Sequence, residues 1–281
     1  MPELPEVEYT RRRLQRAMAR ARIRRVVIRR QKLRYAIADD FAPRVEGQTV
    51  RAVSRRAKYL LAELGSGDVL LMHLGMSGTF RVLRAGRERA RKAYYYDVDR
   101  LDAHDHVVFE MSNGLAVVFN DPRRFGFILL LRSGEIATHR VLSRLGPEPL
   151  ARDFDAAALG RALARRRTSL KMALADQRVI AGLGNIYVVE ALHRAGLSPR
   201  RPASTLATPG GRPRAALLAL AEAIRQVLND AIKRQYRTGA DNPFLVYDRD
   251  GERCLRPGCG GTIRRLVQGG RSTFYCPVCQ R

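Results

Sequence analysis

Near Gly146-Pro147-Glu148-Pro149 the hydrophobic pattern of this chain changes period, so one uniform architecture cannot serve both halves. From Ile23 to Leu131 apolar residues fall in short strand-like segments: Val26-Val27-Ile28, Lys58–Leu64, Val69–Leu74, Val107–Met111, Ala116–Phe119 and Phe127–Leu131. Turn signals such as Gly65-Ser66-Gly67 and Ser112-Asn113-Gly114 separate them, which predicts an antiparallel β-sandwich of about eight strands. Residues 84–105, charged and rich in tyrosine, read as a long loop within it. Ahead of the strands, residues 2 to about 20 fit a basic amphipathic helix with Val7, Leu14 and Met18 on its apolar side. From Asp153 onward the period is helical, with segments near 155–165, 168–177, 185–195 and 213–235. The expected class is α+β multidomain. A domain over 1–132 is followed by a linker over 133–150, a helical domain over 151–245 and a small cysteine-bounded hairpin over 246–281.

All four cysteines lie in that last segment, which argues against a distributed disulfide framework. Cys254 and Cys259 are separated by four residues, Cys276 and Cys279 by two, and sixteen lie between the pairs. Two tight turns each giving two thiolates is the ligand set of a zinc ribbon, closed and therefore structural. One structural zinc ion is expected, holding the hairpin tip Gln268-Gly269-Gly270-Arg271 rigid. Arg271 is then a candidate phosphate clamp, while Phe274 and Tyr275 read as hairpin packing.

The net charge is +25, the electrostatic footprint of a polyanionic partner. Nearly all of it is arginine, which a GC-rich genome would also produce. The five lysines, Lys32, Lys58, Lys92, Lys171 and Lys233, are the more selective signal, because an ammonium does what a planar guanidinium cannot. The longest apolar run, Phe125–Leu131, is too short to span a bilayer, and Arg22–Arg30 reads as strand and turn, not as a leader. A cytoplasmic monomer is expected.

The chain opens Met1-Pro2-Glu3-Leu4-Pro5-Glu6-Val7-Glu8. Removal of Met1 would leave Pro2 as a secondary amine able to attack an aldehyde carbon, with Glu3 beside it as proton donor or acceptor. Taken alone, Met-Pro is more simply a first-turn helix sequence. Ala181-Gly182-Leu183-Gly184-Asn185 is a tight turn between two helices, where backbone amides could meet an anion. A glycine C-cap followed by an Asn N-cap explains those residues equally well. Asp121-Pro122-Arg123-Arg124-Phe125-Gly126 and His73-Leu74-Gly75-Met76-Ser77-Gly78 suit loops that intrude into a duplex, or an ordinary strand end and surface arginines.

Taken together these blocks resemble, in order and over the whole chain, the bifunctional formamidopyrimidine-DNA glycosylases. The resemblance implies that a damaged nucleotide is extruded from double-stranded DNA and that Pro2 attacks C1′, with Glu3, Lys58 and Arg271 as further catalytic residues. It also implies that the resulting iminium permits β,δ-elimination at an abasic site. It places Met76, Arg123 and Phe125 in the gap left in the duplex, with Arg124 beside them. His73, Lys58, Lys171, Asn185 and Arg271 are placed on phosphates or toward the lesion, and Glu190 beneath the glycine turn. Cys254, Cys259, Cys276 and Cys279 hold the zinc.

Two departures stand out. The first cysteine pair is spaced by four residues, where two is commonest in the family, through the insertion Arg256-Pro257. The stretch Arg234–Val246 is too short for the loop that typically covers a flipped 8-oxoguanine, so ring-opened purines, hydantoins and abasic sites are expected to be cut better than 8-oxoguanine. Two readings compete: an endonuclease VIII-like enzyme for oxidised pyrimidines, against which Leu4 stands in place of glycine, and a non-catalytic zinc-ribbon protein binding DNA through arginine.

Overall fold

A computed structural model of the chain describes residues 1–84, 102–234 and 243–281. The chain divides into two compact units, one from Met1 to Ser143 and the other holding Arg144–Arg234 together with the described residues from 243 onward.

The first unit opens with helix α1 (Leu4–Met18), which buries Leu4, Val7, Leu14 and Met18. Its first turn is held by the Glu3 amide, which donates to the Glu6 carboxylate at 2.7 Å, and by Pro5, which sits where no helical N–H is required. Strands β1 (Ile23–Ile28), β6 (Asp105–Met111), β7 (Leu115–Asn120) and β5 (Thr79–Arg84) form one antiparallel sheet in the order β1-β6-β7-β5. Strands β2 (Val50–Arg56), β3 (Tyr59–Leu64), β4 (Asp68–His73) and β8 (Phe127–Arg132) form the other, in that order. A short helix, α2 (Phe41–Val45), packs on β1. Ile23, Phe41, Leu60, Leu70, Phe109 and Phe119 fill the shared core with Leu14 of α1.

Among the described residues this is the eight-stranded antiparallel arrangement expected from the alternation. Strands β2 and β5, with the sequences VRAVSRR and TFRVLR, are interrupted by arginines, of which Arg51 and Arg84 are exposed, and show no clean apolar alternation. The expected long loop over 84–105 lies mostly outside the described residues; its end, Asp102–His104, is a single 3-10 turn leading into β6.

The second unit contains α3 (Ala156–Leu163), α4 (Leu170–Ala175), α5 (Asn185–Ala195) and α6 (Ala215–Lys233), then the hairpin β9 (Arg264–Gln268) and β10 (Arg271–Tyr275). Asp155 caps α3 by accepting the Ala158 N–H at 2.7 Å. Gly196, at φ +71°, ends α5 in the left-handed conformation that glycine adopts without a steric penalty. Val189, Val246, Ile263, Phe274 and Cys276 form a small core between α5 and the hairpin. Among the described residues no helix is long and apolar enough to cross a membrane.

Candidate functional site

In the first unit the N-terminus sits at the rim of a cavity of ≈ 620 Å³, lined by Met1, Arg34, His73, Gly75, Met76, Arg124 and Phe125. Burial lowers the pKa of the α-amino group below its ordinary value; Glu3 and Glu6 oppose that shift, and Lys58 and Arg123 reinforce it. Glu3 is 2% exposed and Lys58 7%, so both present charge in a partly dehydrated setting. Lys58 sits in the two-residue turn between β2 and β3, where Ala57 takes φ +52° and its carbonyl accepts from Arg55 at 2.8 Å. Pro2 is half-buried at the start of α1.

His73, the last residue of β4, stacks on Phe127 with centroids 5.5 Å apart and lies 4.9 Å from the Tyr59 ring. Its Nδ1 accepts the Gly75 N–H at 3.0 Å, which puts the proton on Nε2. Burial, with Lys58 and Arg34 nearby, lowers its pKa to about 4. The imidazole is therefore a neutral N–H donor at physiological pH. A histidine whose folded pKa lies below its unfolded value contributes stability that is complete above about pH 6.5 and is lost as the pH falls toward 4. Between pH 7 and pH 4.5 we expect this group to account for on the order of 2–3 kcal/mol of lost stability. Urea unfolding at the two pH values should show a correspondingly smaller loss in His73→Gln than in the parent protein.

Two loops lie against each other beside this cavity. A Cβ on Gly75, which has φ +62°, would collide with the backbone of Phe125 and Gly126, and one on Gly126 would come within 2.6 Å of the His73 carbonyl. Asp121, fully buried, binds them together: its carboxylate accepts from Ser77 Oγ at 2.6 Å and from the Gly126 N–H at 2.8 Å. Its carbonyl lies 2.8 Å from His106 Nε2 and accepts the Arg124 N–H at 3.1 Å. On this platform Met76 and Phe125 are 38% and 44% exposed, large apolar side chains held out in solvent. The Arg123 guanidinium lies 4.9 Å from the Phe125 ring centroid, and Arg124 is exposed at φ +56°. Sequence reasoning singled out the tips and missed the platform; the one available signal was an aspartate immediately before the proline. Asp121→Ala leaves a hydroxyl and an amide without their acceptor in a buried site, and should cost about 3 kcal/mol. Denaturant midpoints check this, and a loss below about 1 kcal/mol would remove Asp121 from that role.

In the second unit, the turn before α5 is shaped by Gln177, whose side chain accepts the Gly182 N–H at 2.9 Å and donates to the Leu183 carbonyl at 2.6 Å. Gly184 is the N-cap and Asn185 the first helical residue, so asparagine is not the cap. Asn185 Nδ2 donates to the Ser272 carbonyl at 2.9 Å, and its Oδ1 is buried without a partner. Lys171 is 1% exposed and its Nζ donates to the Gln268 carbonyl at 3.3 Å. Gln268 Nε2 donates to Ser169 Oγ at 2.9 Å, and a Cβ on Gly269 would strike Met172. Helix α4 and the residue before it thus seat the hairpin tip, which presents Arg271 exposed while Phe274 and Tyr275 pack inward. Glu190, expected beneath the glycine turn, instead turns its carboxylate to the Leu245, Val246 and Tyr247 amides, each at 2.9 Å. The returning segment packs on α5, with Val246 and Val189 in one small core, and its N–H groups need an acceptor there.

The sulfur atoms of Cys254, Cys259, Cys276 and Cys279 all lie within 4.8 Å of one another, with Cys254 and Cys279 3.8 Å apart and Cys259 and Cys276 3.5 Å apart. These separations are too long for disulfides and suit four thiolates around one tetrahedral zinc ion.

Three family models match the chain: "Formamidopyrimidine-DNA glycosylase N-terminal domain" over residues 1–128, "Formamidopyrimidine-DNA glycosylase H2TH domain" over 145–241, and "Zinc finger found in FPG and IleRS" over 251–281. The chain is 56% identical to a formamidopyrimidine-DNA glycosylase of Bradyrhizobium sp. (strain ORS 278) and 57% identical to one of Rhodopseudomonas palustris (strain BisB18), each over the full length of both chains. Both alignments extend over 293 positions against a 281-residue chain, so the relatives carry residues that this chain lacks. Among solved structures it is similar to the Lactococcus lactis formamidopyrimidine-DNA glycosylase bound to DNA containing an AP site. That likeness has a TM-score of 0.84 at 30% identity, with 100% of each chain covered. A variant of that enzyme with Fapy-dG DNA matches with TM-score 0.84 at 29% identity, again over 100% of each chain.

Proposed function

We propose, for a chain that belongs to the formamidopyrimidine-DNA glycosylase family, that Pro2 is the nucleophile and that ring-opened lesions and abasic sites are its preferred substrates. The activity itself is that of a base-excision DNA glycosylase and AP lyase acting on damaged DNA, and its ribbon holds one structural zinc. The observation that carries the reading is the N-terminus at a cavity, where burial, with Lys58 and Arg123 nearby, lowers the pKa of the Met1 α-amino group.

Once Met1 is removed, the Pro2 nitrogen attacks C1′ of an extruded nucleotide and the glycosidic bond breaks, its electron pair leaving with the base, which takes up the proton that the Pro2 nitrogen gives up. Glu3 gives a proton to the ring oxygen as the sugar opens, and an iminium joins Pro2 to C1′. The cationic nitrogen draws electrons from C2′, so loss of a 2′ proton expels the 3′ phosphate. A second elimination expels the 5′ phosphate, and water releases Pro2. Lys58 and neutral His73 hold flanking phosphates, one as a point charge and one as an N–H donor. Met76, Arg123 and Phe125 occupy the space vacated in the duplex and offset the few kcal/mol that extrusion costs. Asn185 and Arg271 bind the backbone from the second unit, and Lys171 supports the turn that carries Arg271. The protein acts as a monomer in the bacterial cytoplasm.

Lesion choice rests on the stretch before the ribbon, of which Gln235 to Asn242 lie outside the described residues. Borohydride trapping on duplexes carrying an abasic site, a hydantoin or 8-oxoguanine tests both parts. Trapping on all three, slower on 8-oxoguanine by about tenfold, is expected. Equal rates on hydantoin and 8-oxoguanine would overturn the lesion preference, and no adduct on any duplex would overturn the mechanism.

A further inference from the structure

Helix α5 meets the zinc ribbon at its C-terminal end through contacts that no ligand role explains. His193 Nε2 lies 3.4 Å from the Cys254 sulfur, and the ring is 2% exposed. Its Nδ1 is buried with no hydrogen-bond partner. A buried N–H left without an acceptor costs more than an unused lone pair, so the proton belongs on Nε2, where the sulfur can accept it. Arg256 approaches from the other side, donating to the His193 carbonyl and, at 3.2 Å, to the Arg194 carbonyl. These are last-turn carbonyls of α5, where a cation is favoured by the helix dipole. Arg256 lies inside the four-residue spacing of the first cysteine pair, so the longer knuckle supplies the residue that docks it. The second knuckle is close too: the Arg281 N–H donates to the Gly196 carbonyl at 3.0 Å.

We propose that His193 is an outer-sphere positioning residue of the zinc site, donating its Nε2–H to the Cys254 thiolate and thereby tying the metal to the C-terminal turn of α5. Four thiolates around a dication leave a net charge of minus two in a partly buried site. An N–H aimed at one sulfur disperses that charge and fixes the sulfur's direction, which is how outer-shell partners tune metal retention. Because α5 begins at Asn185, whose side chain holds the Ser272 carbonyl of β10, the helix contacts the ribbon at both ends. Occupancy of the metal site then governs the seating of the helix as well as the shape of the hairpin.

The test uses the full-length zinc protein with His193→Phe and His193→Gln. Zinc affinity is measured by chelator competition, and the cobalt-substituted proteins are examined for the thiolate-to-cobalt charge-transfer band. His193→Phe should bind zinc about 10–100-fold more weakly and shift the band to lower energy, since the sulfur loses a hydrogen bond. His193→Gln, which keeps an N–H donor, should recover a substantial part of both. A folded His193→Phe protein, checked by circular dichroism, with parental zinc affinity and band position would overturn the proposal. So would a glutamine variant as weak as the phenylalanine one with an unshifted band, because the role would then be packing alone.

Discussion

Replacing Pro2 by glycine, in protein whose Met1 has been removed, should lower trapping and strand scission at an abasic site on the order of 10²–10⁴-fold. The argument turns on the class of amine. Glycine still offers an α-amino group at the start of α1, so the variant is not disarmed by charge. A primary amine condenses with an aldehyde to an imine that can lose its N–H proton and become neutral. Proline's adduct has no N–H to lose and stays cationic, so it keeps withdrawing electrons from C2′ at any pH the protein tolerates. Proline also restricts its nitrogen to one approach, and a freely turning glycine sacrifices that orientation. Affinity for an uncleavable abasic-site analogue should change little, since the phosphate contacts assigned to Lys58, His73 and the second unit remain. Fluorescence anisotropy with that analogue, paired with borohydride trapping, separates the two effects. A variant that traps as fast as the parent would move the nucleophile to another residue, and Lys58, buried nearby, would be examined next.

Much of this arrangement is legible in the chain because it is local. The alternation of β3, β4, β6, β7 and β8, the helical period after Asp153 and the spacing of the cysteines are each written within a few residues of one another. What escaped reading is made by partners distant in sequence. Asp121 acquires its role from Ser77, forty-four positions away, and Glu190 from amides fifty-five to fifty-seven positions away. The resemblance places Lys171 on phosphates or toward the lesion; the residue is 1% exposed, and its ammonium meets a carbonyl ninety-seven positions on. A sequence displays which side chains can donate and accept; which of them meet is decided by the packing of whole layers. The resemblance that assigns roles to single residues likewise had no way to foresee a histidine beside Cys254, since that contact depends on how α5 ends.

Cys276→Ser should bring zinc content from about one ion per chain to near zero and weaken binding to an abasic-site duplex by at least about 100-fold. Cys276 is fully buried within the small core that Val189 of α5 shares with Val246, Ile263 and Phe274, and its sulfur lies 3.5 Å from that of Cys259. Serine at neutral pH stays protonated, so it supplies neither the soft donor nor the negative charge that zinc requires. The three remaining cysteines take up protons once the metal is gone, and neutral thiols supply nothing that holds the two knuckles together. Structural zinc contributes on the order of 10 kcal/mol in isolated fingers, far more than this small apolar cluster can replace. The hairpin tip would lose its anchorage from below while its seat on α4 remains, so Arg271 keeps its neighbours and loses its fixed direction. Zinc quantified by mass spectrometry, with limited proteolysis at Arg264, Arg265 and Arg271, reports the ribbon directly. Circular dichroism bands of the β-sandwich should persist, because the first unit has a core of its own. If the metal-free variant bound the duplex as tightly as the parent, affinity would have to come from the arginine-rich surface alone, and its salt dependence would be correspondingly steep.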